Sequence, residues 1–266
     1  MSDDHKVVPP PAWPEIVRKI RARTAARIFV ERGASYSTQM ELELRGARAS
    51  AVDAVWSEFD LQKDFPQDFV AKWKLFQVSS QAESKSQYLL RPDLGRKLSG
   101  DGKSVMAERC IKAPDMQIVI GDGLSGVAVS EQVPALFPLL QERASAKGWS
   151  IGASFVVRYC RVGIMNDIGD LLSPRVMVLL IGERPGLATA TSLSAYMAYH
   201  PQSGHSDADR NLISNIHARG VRIEDAAERI TSLAAQMMAL KQSGTRVKED
   251  TALRENRSEL QSGDPI

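Results

Sequence analysis

Cysteine is scarce in this chain: Cys110 and Cys160 are the only two in 266 residues, and no C-x-x-C or cysteine/histidine set has zinc-ligand spacing. A disulfide framework and a structural zinc site are therefore not expected. Histidine is equally sparse. His5 stands in the lead-in and His217 stands alone, while His200 and His205 share a Pro/Gly/Ser turn without the helical support a metal pair needs. Excess charge of one sign is missing too. With 34 Lys+Arg against 32 Asp+Glu the net charge is +2, so bulk electrostatics favour neither nucleic acid nor an acidic surface. No apolar run approaches the roughly 18 residues of a membrane span, and MSDDHKVVPPPAWP has neither region of a signal peptide. A reducing cytosol fits. There is no G-x-x-x-x-G-K-[ST] and no G-x-S-x-G, which removes the P-loop and the nucleophile elbow.

What is present divides the chain. Residues 1 to 14 hold four of the 13 prolines and read as a flexible lead-in. EIVRKIRARTAARIFVERG follows, basic through Arg18, Lys19, Arg21, Arg23, Arg27 and Arg32 but without an aromatic stacking platform, which suggests a solvated face or a rim against an acidic partner. Thr38 and Glu41 have capping-box spacing, and Met40, Leu44, Ala47, Ala51, Val55 and Phe59 then recur at helical steps. Trp56, Phe65, Phe69, Trp73 and Phe76 are expected to pack this region onto something larger. Pro92 and Gly95 place Arg91, Asp93 and Arg96 on a turn. Residues 15 to 112 are thus a smaller, mainly helical N-terminal region.

From residue 113 strands alternate with helices. MQIVIGDG and RVMVLLIG are continuous apolar strands, SIGASFVVRYCRVGI holds one or two more, and NLISNI is a last short one. PALFPLLQERASAKG is a helix stopped at Gly148, MNDIGDLL a short helix, and IEDAAERITSLAAQMMALKQSG a closing helix with a stripe at 226, 227, 230, 233, 234 and 237. The pattern predicts an α/β fold over 113 to 244, a mostly parallel, Rossmann-like layered sheet with both faces covered. Residues 245 to 266 are charged and poor in apolar residues, and read as a disordered tail.

Three constellations could hold a ligand. Gly121, Gly123 and Gly126 form G-x-G-x-x-G after a strand, the place of a dinucleotide fingerprint, but the following strand ends in Arg158 and Tyr159 and lacks the ribose-gripping acid. The alternative is a tight turn with Asp122 and Ser125 as caps. IGERPG sets Glu183 and Arg184 at the carboxyl end of a strand, either as ligand contacts or as an intra-loop ion pair, with Thr191 and Ser192 capping a short helix beyond. Asp207, Asp209, Arg210, Asn211, Ser214 and Asn215 bring polar groups into an otherwise apolar strand. Contact groups are plentiful and an arranged acid, base or nucleophile is not, so a ligand-holding subunit fits better than a self-sufficient enzyme.

YLLRPDLGRKL, MQIVIGDGLS, VPALFPLL, RVGIMNDIGDLL, VLLIGERPGL, SLSAYMAY and DADRNLISNI, in this order, resemble the small (light) subunit of ethanolamine ammonia-lyase. The resemblance implies an adenosylcobalamin enzyme that converts ethanolamine to acetaldehyde and ammonia by a radical route. It implies a hetero-oligomer in which a TIM-barrel large subunit holds the substrate and this chain covers the cobalamin from its lower-ligand side. The family's cobalamin contacts fall on Val162, Glu183 and Leu212, the last standing where some members carry cysteine. Arg161 and Arg184 flank these positions. The resemblance allows a cytoplasmic location or one within a bacterial microcompartment. A dinucleotide-binding oxidoreductase and an assembly module without cofactor contact are the competing readings.

Overall fold

The structure is a computed structural model that describes residues 38–186 and 189–249. The expected lead-in, the basic segment after it and residues 250 to 266 of the expected tail lie outside the described residues.

Three helices open the described residues: α1 (Thr38–Trp56), α2 (Leu61–Asp64) and α3 (Gln67–Trp73). Val55 on α1 is half-buried and Ala54 buried, while Leu42, Val52 and Trp56 are exposed. Beyond α1 an edge-to-face series of rings, Phe59 to Phe65 to Phe69, reaches Phe137 with centroids 5.0, 5.3 and 5.9 Å apart. Phe65, Phe69 and Trp73 thus pack as expected, with Phe137 as their anchor, whereas Phe76 packs against Phe155 in the other core and Trp56 is exposed.

The elements that follow are β1 (Phe76–Ser79), α4 (Lys85–Leu90), α5 (Gly100–Arg109), β2 (Met116–Gly121) and α6 (Gly126–Ala146). Then come β3 (Phe155–Arg158), α7 (Ile164–Leu172), β4 (Val176–Gly182), β5 (Leu193–Tyr199), β6 (Asn211–Ile216) and α8 (Ile223–Leu240). The strands form one sheet in the order β1-β3-β2-β4-β5-β6, so the mainly helical stretch before residue 113 supplies its edge strand.

Side chains alternate across the sheet and both faces are covered, which is why β4 is apolar throughout and β2 apolar but for the buried Gln117. Val176, Val178 and Leu180 join Ile118, Ile120 and Val156 in one core with α6 and α8, whereas Met177, Leu179 and Ile181 join Val119, Phe155 and Val157 in another with α7. The stripe on α8, Ala226, Ala227, Ile230, Leu233, Ala234 and Met237, is buried as its spacing predicts. Burial of side chains such as Ile230 and Leu233 contributes about 1.5–3 kcal/mol each. Gly148 at φ +71 ends α6 by donating its N–H to the Ser145 carbonyl, 2.9 Å.

The mostly parallel, Rossmann-like expectation needs correction: the sheet is mixed. β1, β3, β2 and β4 pair in parallel, but β5 runs antiparallel to both β4 and β6. The cause is a strand where the sequence suggested a short helix capped by Thr191 and Ser192. Among the described residues no crossover helix lies between β4 and β5, and a connection without one returns the chain antiparallel. The first residues of the expected tail are also held: Val247 is buried, and Arg229 forms a bidentate pair with Glu249 at 2.9 and 2.8 Å.

Candidate functional site

The chain leaves β2 for β3 on one side and later reaches β4 on the other, so the carboxyl ends of these three strands open into one crevice. Their loops, joined by β5 and β6, line a cleft of about 400 Å³. Gly123 and Leu124 come from the first loop, Arg161 and Val162 from the second, Glu183 and Arg184 from the third, and Leu212 and Ser214 from β6. All five residues singled out as cofactor contacts, Val162, Glu183, Leu212, Arg161 and Arg184, therefore meet at one place. Leu212 is 44% exposed there, a large apolar side chain left at the surface of a ligand-sized hollow.

Local rules explain each loop. Gly121 must lack a side chain because a Cβ would sit 2.7 Å from Cys160 Sγ, and Gly123 adopts φ +59 against the backbone of Gly182. Gly126 faces Phe59 at 3.0 Å from its Cβ, and Ser125 caps α6 by accepting the Ala128 N–H at 3.2 Å. The three glycines thus serve close packing, as the tight-turn alternative holds. Asp122 has a different task from the helix cap expected of it. Its carboxylate accepts the N–H groups of Tyr159 and Cys160 at 2.7 and 2.8 Å and fixes the turn after β3, where Tyr159 sits at φ +56. Burial raises the Asp122 pKa in spite of these bonds and of Lys85 nearby, and burial lowers Lys85.

Glu183 does not pair with Arg184. Its Oε1 accepts the Ser194 hydroxyl at 2.6 Å and the Asn215 N–H at 2.7 Å. Pairing between β5 and β6 slips between Leu193/Ala195, giving β6 an extra residue, and Asn215 takes up the bulge at φ +62. A bulged residue loses its ladder partner, and the Glu183 carboxylate supplies one. Arg161 is fastened from its own side: its N–H reaches the Gly95 carbonyl at 2.8 Å, one guanidinium nitrogen reaches the Tyr88 carbonyl at 3.1 Å, and its charge lies 4.2 Å over the Tyr88 ring.

Tyr88, Cys160, Ser194 and Tyr196 also line the cleft and were not found from sequence. Ser194 and Tyr196 sit on the overlooked strand, in the SLSAYMAY motif. Tyr88 and Cys160 carry no local signal, being joined across the fold by the Tyr88 hydroxyl donating to the Cys160 carbonyl at 3.0 Å. Burial pushes the Tyr88 hydroxyl and the Cys160 thiol well above their ordinary pKa ranges, and it also raises Tyr196. These groups stay protonated at neutral pH, which suits packing and hydrogen bonding better than nucleophilic attack.

Of the polar residues before and within β6, most serve the fold. Asp209 forms a capping box with Ser206, and the Asn211 amide clamps the chain after α8 by donating to the Gly244 and Val247 carbonyls at 3.1 and 2.7 Å. Asp207 pairs with Arg210. Among the described residues no helix is long and apolar enough to cross a membrane, and no group of three or more potential metal ligands occurs.

Known proteins resemble this chain over most of its length. A family model described as ethanolamine ammonia-lyase light chain matches residues 14–248. The ethanolamine ammonia-lyase small subunit of Clostridium perfringens is 38% identical over 239 residues, 90% of this chain and 79% of the relative. That of Clostridium acetobutylicum is 36% identical over 235 residues, 88% of this chain and 95% of the relative. The Fusobacterium nucleatum small subunit is 37% identical over 231 residues, 86% of this chain and 76% of its own length.

Proposed function

Since the chain belongs to the ethanolamine ammonia-lyase light-chain family, we propose that it is the small subunit of a two-subunit ammonia-lyase and forms one wall of an adenosylcobalamin site. The opposing wall is a large subunit, a TIM barrel by the same resemblance, which holds ethanolamine. When bound, the cofactor supplies the radical chemistry that yields acetaldehyde and ammonia. This chain binds, orients and shields.

One observation carries the reading: residues 161 and 162, 183 and 184, and 212, distant in sequence, line a single cleft. The donor set fits a corrin. Leu124, Val162 and Leu212 offer apolar surface to a flat macrocycle, and a polar rim of Glu183, Arg184, Ser194 and Ser214 faces its amide arms. Oε1 of Glu183 is occupied, while Oε2 has no partner among the described residues and can accept an amide N–H. Because the cleft is open, tight retention needs the second wall.

The test is acetaldehyde release from ethanolamine and adenosylcobalamin by the large subunit with and without this chain, alongside cobalamin retention by each. Activity and retention that require both chains support the proposal. A correctly formed but inactive complex, or tight one-to-one cobalamin binding by the isolated chain, overturns it.

A further inference from the structure

A second hollow of about 570 Å³ adjoins the cleft and shares Arg161, Val162 and Tyr196 with it. Its charge is one-sided: Arg96, Lys97, Arg161 and Arg210 line it against the single carboxylate of Asp207. Lys97 already meets Asp167 at 3.4 Å, and Arg210 meets Asp207. Arg96 and Arg161 have no carboxylate partner among the described residues.

The wall is built rather than incidental. The side chain of Arg210 is only 5% exposed, and one of its guanidinium nitrogens donates to the Asn166 amide oxygen at 2.8 Å. Asn166 in turn donates to the His205 carbonyl at 2.8 Å, tying the 203–210 segment to α7. The stem of Arg96 lies against Gly163, where a Cβ would come within 2.9 Å of its Cγ, so that guanidinium is held at the rim. Buried nitrogen is nonetheless left over: Nε of Arg161, Nε of Arg210 and Nδ1 of His205 have no hydrogen-bond partner among the described residues. These atoms are shut off behind the lining, so what calls for an anion is the charge of Arg96 and Arg161, which no carboxylate of the described residues meets. The first N–H groups of α7 are already spent on the carbonyls of Arg161, Val162 and Gly163, so side chains must hold that anion.

We propose that this hollow is a phosphate subsite, with Arg96, Arg161 and Arg210 as its cationic cradle. Guanidinium forks suit phosphate oxygens, and the volume leaves room for the organic part of an ester. Two sources share this chemistry: the phosphodiester in the nucleotide arm of cobalamin, an assignment that rests on the cofactor reading above, and a free phosphate ester.

The experiment uses the complete complex of this chain with its large subunit. Inorganic phosphate is titrated and followed by phosphorus NMR in the wild type, in Arg96→Gln and in Arg91→Gln. Arg91 is exposed, paired with Asp93 and outside the hollow, so its variant is the control. The proposal expects saturable phosphate binding weakened about tenfold by Arg96→Gln and unchanged by Arg91→Gln. In parallel, cobalamin is compared by absorbance titration with cobinamide, a corrin without the nucleotide and its phosphodiester. If the cofactor is the source, Arg96→Gln weakens cobalamin about tenfold but leaves cobinamide alone, and phosphate competes with cobalamin. A loss confined to phosphate upholds the subsite and assigns it to a free ester. Absence of a saturable phosphate response in the complex overturns the proposal, the cations then being met by carboxylates of the partner, and so does a response that Arg96→Gln leaves intact. Failure of the cofactor reading shows separately, as a wild-type complex that binds neither corrinoid yet still binds phosphate saturably.

Discussion

Glu183 and Asn215, 32 positions apart, are joined by a 2.7 Å hydrogen bond from the Asn215 backbone N–H to the Glu183 carboxylate. One contact thus fixes the rim of the cleft and closes the bulge of β6. Glu183→Ala should destabilise this corner by about 1 kcal/mol, because it removes a hydrogen bond to a charged acceptor while water can still reach the exposed Asn215 N–H. Glu183→Gln should restore most of that, since its amide oxygen still accepts. Hydrogen exchange at the Asn215 amide reads this directly, and equal exchange in all three proteins would remove the clamp. Charge reversal, Glu183→Lys, should in addition weaken cobalamin retention by the two-subunit complex.

Two of the positive-φ glycines, Gly123 and Gly148, should respond differently to alanine. Gly148, at φ +71, has nothing within 4 Å of an added Cβ, so only backbone strain of about 1 kcal/mol is expected. Gly123, at φ +59, has Ile181 Cγ1 at 2.7 Å and the Gly182 backbone closer still. Strain and overlap combine there, and Gly123→Ala should cost at least about 2 kcal/mol. Equal losses in thermal unfolding would contradict the packing role given to this loop.

These cases mark what was legible in the sequence. The stripe of α8 and the apolar run of β4 could be read directly, because burial on one face or on both writes a local pattern. β5 could not. LSAYMAY mixes small, polar and aromatic residues, and its strand identity comes from neighbours on both sides: Leu193, Ala195 and Met197 feed one core, while Ala198 and Tyr196 face the other. Missing it hid the antiparallel part of the sheet and the site positions Ser194 and Tyr196. Val162, Glu183 and Leu212 were reached through the family motifs, whereas the Tyr88 and Arg161 contact depends on distant segments meeting.

His217 gives the fold a pH dependence of predictable sign. Its Nδ1 accepts the Arg219 N–H at 3.3 Å and its Nε2 lies 2.7 Å from the Asn215 side-chain oxygen, an arrangement that fits the neutral ring. Burial, then the charge of Arg219, lowers its pKa below the ordinary histidine value of 6.5. The unfolded chain therefore takes up a proton first. His217's contribution should be complete above 6.5 and decline as pH falls from there through the folded pKa. The lowered carboxylates Asp115, Asp170 and Asp209 start from 3.8 and act in a more acidic window. An NMR titration placing His217 above 6.5 would reverse the sign.

The two cysteines should separate by reactivity. Cys160 is fully buried beneath the cleft, and burial followed by the Asp122 charge holds its thiol well above the ordinary range. Cys110 is half-buried, with its pKa pushed up to about 11 by burial. Alkylation needs thiolate and access, so at about pH 8 iodoacetamide should modify Cys110 slowly and Cys160 only through opening of the fold. The measurement also tests the site. Cys160 directly precedes Arg161 and Val162, and Asp122 grips its N–H at 2.8 Å. Rapid labelling of Cys160 in the native protein would mean that this turn releases easily, leaving the Arg161 and Val162 wall without the rigidity on which the cleft depends.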